Sequence, residues 1–262
     1  MTVGAVPRTV AELRTLVEEF LADVELTAEL GGQQASMRYA LEGGGKRVRP
    51  VICLATAEAA GASAEQALPA AVALEMVHTF SLVHDDLPSM DDDDERRGRP
   101  STHRAFPEGV ALLAGDALMT EAIILALRYD TPEVARELAL ATQGMIGGQY
   151  LDITGAHDDL AELHRLKTGR LFAASVGMAL WVAGVSPAAQ LPWRAFGEEL
   201  GLLFQVVDDV LDGDGYAAEL GAEAARALAH AVAARARDRL AAVPADTSVL
   251  EAIVDALAVR TA

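Results

Sequence analysis

The sequence predicts an all-α fold: a single-domain helical bundle of about ten helices over residues 1–262. Three observations carry this. Helical period runs along almost the whole chain, and no stretch joins strict alternation to β-branched and aromatic enrichment. Apolar residues make up 52% and aromatics only 5%, with alanine, leucine and glutamate, all good helix formers, in abundance. Glycine or proline stands at most joints, and no linker-like tract or fixed repeat divides the chain.

The elements follow from this punctuation. A helix from Thr9 to about Leu30 ends at Gly31-Gly32. A second, Gln34 to Leu41, ends at Gly43-Gly44-Gly45. A third starts just after Pro50 and stops at Gly61. A fourth starts near Pro69, which suits a first helical turn, and reaches about Asp86. Asp91 to Pro107 reads as a loop. Further helices are expected at 108–128, 132–150, 159–184, 188–212, 217–242 and 246–259, and no strands. Ala71–Val83 and Leu171–Val185 are apolar almost all round, which places them at the centre of the bundle. Leu171–Trp193 carries no charge. Its strongly apolar part is only about 15 residues, short of the roughly 20 that a membrane span needs, so it reads as a core helix. The first residues lack the basic start of a signal peptide, and the chain reads as soluble, intracellular and cytoplasmic.

Charge and cysteine narrow the function. Lys and Arg number 21 against 39 Asp and Glu, a net charge of −18. That argues against nucleic acid as the main partner, since phosphate backbones need cationic neutralisation. It leaves a local anion site open. One cysteine, Cys53, excludes a disulfide framework and a multi-cysteine metal centre.

Two aspartate clusters stand out: His84-Asp85-Asp86-Leu87-Pro88-Ser89-Met90-Asp91 running on to Arg96-Arg97-Gly98, and Gln205-Val206-Val207-Asp208-Asp209-Val210-Leu211-Asp212. Asp208 and Asp212 share a helix face at about 40°. Asp85 and Asp91 would lie about 240° apart on a helix. Pro88 disfavours helix at Leu87, so the helix should stop near Asp86 and let Asp91 fold back toward Asp85. Taken singly, a solvated helix end and a solvated acidic loop explain each cluster as well. Together they cap two unusually apolar helices that can face one bundle mouth. All-oxygen donors suit Mg²⁺ with substrate phosphate oxygens, and the absence of nearby cysteines argues against zinc. Gly43-Gly44-Gly45-Lys46-Arg47-Val48-Arg49 sets three cations on a glycine-rich turn, a candidate anion site. His78 lies on the same helical stripe as Asp85. Lys46 and Lys167 are the only two lysines.

This combination resembles the trans-isoprenyl diphosphate synthases (polyprenyl synthetases), most closely their bacterial farnesyl diphosphate synthases. The resemblance rests on Met37–Leu41 leading into Gly44–Pro50; Glu75–His78; Ser81–Pro88 through Gly98; Ala114–Leu118; Gly148-Gln149 with Leu151-Asp152; His164–Gly169; and Phe204–Asp212. It implies an all-α fold around a deep central cavity. It implies head-to-tail condensation of an allylic diphosphate with isopentenyl diphosphate. Three Mg²⁺ ions would be held by Asp85, Asp86 and Asp91 on one wall and by Asp208, Asp209 and Asp212 on the other. Arg96, Lys167, Thr168 and Gln205 match positions that hold the allylic diphosphate. Lys46, Arg49, His78 and Arg97 match those that hold isopentenyl diphosphate. The catalytic set carried over is Asp85, Asp86, Asp91, Arg96, Lys167 and Asp208. Phe80, with Ser81, falls where the family sets product length. An aromatic at Phe80 lies about 7.5 Å below Asp85 along a helix and implies a short product, farnesyl diphosphate, with geranyl or geranylgeranyl diphosphate as alternatives. The implied partners are prenyl diphosphates and a second copy in a homodimer, with no nucleic acid and no membrane span.

The chain departs from the family after Asp212. Gly213-Asp214-Gly215 runs straight into Tyr216, and no lysine follows Lys167. The lysine-bearing loop expected there has no counterpart, whether lost, engineered out or left out of the chain. A cyclase-like enzyme or a non-catalytic partner on the same fold therefore remain alternatives. The match to Lys46, Arg49, His78 and Arg97 argues against a cyclase, which needs no second diphosphate site.

Overall fold

The computed structural model describes residues 7–156 and 159–260. Helix α1 (Val10–Asp23) opens on a capping box, in which the Glu12 carboxylate accepts from the Thr9 backbone N–H at 2.7 Å and Thr9 accepts in return. It stops at Asp23 rather than near Leu30. Arg38, on α2 (Gln34–Leu41), donates to the carbonyls of Leu21, Ala22 and Val24 at 3.3, 3.2 and 2.6 Å and satisfies the acceptors that a helix end leaves free. A 3₁₀ segment, Ala28–Gln33, joins the two.

Helix α3 (Val48–Ala59) holds Pro50 in its first turn, where no intrahelical N–H is needed. Helix α4 (Ala64–Asp85) starts five residues before Pro69 because Ser63 and Gln66 form a second capping box. Pro69 therefore sits inside the helix. The Tyr129 hydroxyl repairs the break: it donates to the Gln66 carbonyl at 2.8 Å and accepts from the Ala70 N–H at 3.1 Å.

Between Asp91 and Pro107 the expected loop contains a minimal ladder, β1 (Glu95–Arg96) against β2 (Arg99–Pro100), and a single helical turn, α5 (Thr102–Ala105). The turn residues Arg97 and Gly98 both take positive φ, +57° and +76°, as a two-residue hairpin requires. The chain continues through α6 (Glu108–Ala126), α7 (Glu133–Thr154), α8 (Leu160–His164), a π-helical segment (Arg165–Gly169), α9 (Arg170–Val182), α10 (Leu191–Asp212), α11 (Gly215–Leu220), α12 (Ala222–Ala241) and α13 (Ser248–Val259). About ten expected helices become thirteen α-helices among the described residues. The additions are α5, the π interruption of the helix expected over 159–184, and a break at Gly221 (φ +87°) in the one expected over 217–242.

Helix α4 is the axis. It packs on α3, α6 and α9, and α10 packs on α9 and α12. Its apolar run and that of α9 are buried as their composition demands, with Phe172 and Phe196 among the largest side chains withdrawn from solvent. The charge-free stretch 171–193 is α9, a turn and the start of α10. Among the described residues, the helices long and apolar enough to cross a membrane, by length and composition alone, are instead α4 and α6. Most of the apolar window of α4 is buried by its neighbours. Helix α6 leaves Leu112, Leu113, Ile123 and Ile124 exposed, as is Leu127 just past its end.

Arg47 is structural, unlike the other cations of its turn. It is buried, takes φ +48°, and bonds Glu75 at 2.6 Å, Glu18 at 2.8 Å and the Leu41 carbonyl at 2.7 Å. Glu75 is 2% exposed. Replacing Arg47 by Met strands that carboxylate and should cost about 3–5 kcal/mol in urea unfolding. Adding Glu75→Gln should recover most of the loss, which a purely local packing defect would not do.

Candidate functional site: a cavity between two aspartate-tipped helices

The carboxyl ends of α4 and α10 converge on a cavity of about 700 Å³. Asp85 and Asp208 both line it, with Arg49, His78, Arg96, Arg97, Lys167, Thr168 and Gln205 also on its walls. The rest of the lining includes the apolar Phe80, Leu82, Met145, Ile146, Ile153 and Phe204. Phe80 is 5% exposed and meets the His84 ring edge-on at 5.7 Å, so its position is fixed. Ser81 lines the same wall and ties its hydroxyl to the His78 carbonyl at 2.8 Å.

The first acidic loop turns as Pro88 requires. The Asp91 N–H donates to the Asp85 carbonyl at 2.8 Å, so Asp91 does return to Asp85. Asp91 itself is exposed and does not line the cavity. Burial pushes the Asp85 carboxyl up to about 6, with Lys167 pulling the other way. Asp86 points elsewhere. It is buried and bonded by Arg96, through Nε at 2.8 Å and through Nη2, while Arg96 also reaches Asp93 at 2.8 Å. Asp86 thus positions Arg96 on the cavity wall.

The cations differ in what holds them. Arg49 makes no ion pair among the described residues and its Nε has no hydrogen-bond partner. Its guanidinium lies over the Phe172 ring, 4.5 Å from the centroid, and near Phe204 at 5.8 Å. Burial brings its pKa down to about 10, so it stays charged at neutral pH. His78 is held well below its ordinary value by burial and then by the charges of Arg49 and Arg97, and is a neutral imidazole. Arg97 bonds the Gly44 carbonyl. It passes so close to Gly45 that a Cβ there would sit 2.7 Å from Nη1, and Gly45 has φ +139°. Lys46 faces a contiguous cavity of about 680 Å³ that shares Arg49, His78, Arg96, Arg97 and Asp208.

The π segment carries Lys167 and Thr168. One residue too many in the turn pushes both to the cavity wall. It fits because Gly148 of α7 lies against the Lys167 backbone, where a Cβ would come within 2.4 Å of the amide nitrogen. Lys167 pairs with Asp152.

The second cluster is split. Asp208 faces the cavity, and burial raises its pKa against the charges of Arg260 and Lys46. Asp209 is 3% exposed and turned away. It accepts from the Gln205 amide at 2.6 Å and from the Tyr216 N–H at 2.8 Å. The short turn explains this: Gly213 (φ +78°) ends α10 and α11 starts at Gly215, so Asp209 caps α11. Asp212 is exposed and outside the lining, close enough to act on Asp208 by its charge. So of the six aspartates expected to hold metal, Asp85 and Asp208 face the cavity and Asp91 and Asp212 flank it. Asp86 and Asp209 serve as braces.

Sequence reasoning missed Arg260, whose Nη1 lies 3.8 Å from Asp208 and is buried without a hydrogen-bond partner. Nothing in the spacing links the chain's end to the second cluster. It also missed the role of Asp152 toward Lys167.

The donor set fits a hard divalent cation. Asp85 and Asp208 are oxygen donors whose raised pKa values show charge uncompensated in a partly buried place, and the surrounding cations suit a bridging polyanion.

The comparisons agree with this geometry. The chain is 38% identical over 224 residues to the farnesyl diphosphate synthase of Geobacillus stearothermophilus, covering 80% of this chain and 74% of that protein. It is 43% identical over 212 residues to the heterodimeric geranylgeranyl pyrophosphate synthase large subunit 1 of Arabidopsis thaliana, covering 74% of this chain but only 57% of that protein. The geranyltransferase structure from Legionella pneumophila superposes with a TM-score of 0.83 at 31% identity, covering 96% of each chain. The family model for polyprenyl synthetases matches residues 33–233, and this chain belongs to that family.

Proposed function

We propose that this protein condenses an allylic diphosphate with isopentenyl diphosphate, head to tail, and releases a short prenyl diphosphate. The observation that carries the proposal is the cavity itself. Two carboxylates from separate helices line one cavity with Arg49, Lys167 and a set of apolar side chains. Mg²⁺ bound between Asp85, Asp91 and Asp208, up to three ions, would neutralise the diphosphate and make it a better leaving group. Arg96 and Lys167 add fixed positive charge where negative charge develops as the carbon–oxygen bond breaks. Arg49, Arg97, Lys46 and the neutral His78, which line one contiguous cavity, would hold the second diphosphate. The apolar lining takes the hydrocarbon tail and keeps water from the allylic cation.

Phe80 limits the depth of the cavity, which supports farnesyl diphosphate as the product. The relatives bear both farnesyl and geranylgeranyl names. A non-catalytic partner is the second reading, favoured by the short Gly213–Gly215 turn and the capped Asp209. The exposed apolar stripe of α6, where Leu113 and Ile124 are eleven residues apart and so nearly eclipsed, supports a homodimer through that face.

With geranyl and isopentenyl diphosphates and Mg²⁺, farnesyl diphosphate should form. Absence of any elongated product at all Mg²⁺ concentrations would favour the partner reading. Asp85→Asn and Asp208→Asn should each lower kcat by about 10²-fold or more. The raised pKa means that the folded state takes up the Asp85 proton first, so this group's contribution to stability improves as pH falls from 7 through about 6. Asp85→Asn should therefore raise the melting temperature of the metal-free protein at pH 7 while it removes activity. Phe80→Ala should lengthen the product to geranylgeranyl diphosphate or beyond, read by chromatography of the dephosphorylated alcohols. Leu113→Lys with Ile124→Lys should convert a dimer to a monomer in light scattering, and an unchanged mass would refute the α6 interface.

A further inference from the structure

A second set of ligating side chains lies on the outer side of the acidic loop. Asp92, Asp94 and His103 bring a carboxylate oxygen each and a ring nitrogen within 4.8 Å of one another. None of the three lines the diphosphate cavity. Asp92 follows Asp91 but takes φ +54°, and its N–H returns to the Leu87 carbonyl at 3.1 Å. Asp94 is anchored through its carbonyl, which accepts from the Ser101 N–H at 2.9 Å. His103 comes from α5 and is 8% exposed.

His103 supplies the observation that acidic loops alone do not. Its Nδ1 is engaged by the Ser101 hydroxyl at 3.0 Å. Its Nε2 is buried and has no hydrogen-bond partner. A buried imidazole nitrogen without a partner is costly. Ligation by Nε2 would satisfy it, while the bond from Nδ1 to Ser101 would fix the ring's orientation, as in many histidine–metal sites.

We propose that Asp92, Asp94 and His103 form a separate site for one divalent transition-metal ion of the zinc class. One imidazole nitrogen and two carboxylates suit such an ion better than Mg²⁺, which prefers oxygen donors alone. Asp92 and Asp94 are exposed, so water completes the coordination. Arg104 holds one Asp94 oxygen at 2.5 Å, which leaves the other for the ion. The site would clamp the start of the β1–β2 hairpin to α5, and that hairpin carries Arg96 and Arg97 to the cavity.

The test is a Co²⁺ titration of the intact protein in excess Mg²⁺, which occupies all-oxygen sites. One equivalent should bind, with visible d–d absorption and shifted His103 ring resonances in NMR. Asp92→Asn is exposed and should leave the melting temperature in EDTA unchanged, yet weaken Co²⁺ binding about tenfold or more. Zn²⁺ should displace Co²⁺ from the wild type. Co²⁺ binding that excess Mg²⁺ abolishes, unshifted His103 resonances, or wild-type affinity in Asp92→Asn would each overturn the site.

Discussion

The placement of Asp85 and Asp208 in one partly buried cavity is the constraint on which the rest of the molecule depends. A carboxylate withdrawn from water is unfavourable unless cations compensate it. Here the protein supplies only part of the compensation, through Lys167, Lys46 and Arg260 at some remove. The remainder is left for a ligand that brings its own metal. On the proposed function, a metal-bearing diphosphate would supply that remainder.

The surrounding architecture serves this placement. Helices α4, α7 and α10 supply the apolar lining, and the two cavity carboxylates stand at or near the carboxyl ends of α4 and α10. Four cations on the cavity wall are held by something other than the two cavity carboxylates. Arg96 is held by Asp86 and Asp93, Arg97 by the Gly44 carbonyl, Lys167 by Asp152, and Arg49 by two aromatic rings. A direct pair between any of these four and Asp85 or Asp208 would take up charge that is otherwise left for a ligand. Glycines 45 and 148 allow Arg97 and the Lys167 backbone to come as close as they do.

Much of this was legible in the sequence. Apolar helices read as core are core, and Pro88 does end α4 so that Asp91 returns to Asp85. Local signals were misjudged where a neighbour distant in sequence intervenes. Pro69 stays helical because Tyr129, sixty residues on, bonds both sides of the break. Helix α1 is cut short by Arg38. The π turn at Arg165–Gly169 has ordinary helical composition and depends on close packing against Gly148. The motif Asp208-Asp209-Asp212 gave no sign that Asp209 would cap α11, because that follows from the short turn after it. Arg260 was invisible for the same reason: its approach to Asp208 is purely tertiary.

The shared use of Asp85 and Asp208 is tested most directly by a double-mutant cycle on inorganic diphosphate affinity, measured by calorimetry with and without Mg²⁺. If both carboxylates hold one metal–diphosphate cluster, Asp85→Asn or Asp208→Asn alone should remove most of the Mg²⁺-dependent affinity. The double variant should then lose little more, a strong coupling between residues on separate helices. Additive losses, or diphosphate binding that is equally tight without Mg²⁺, would contradict a shared site.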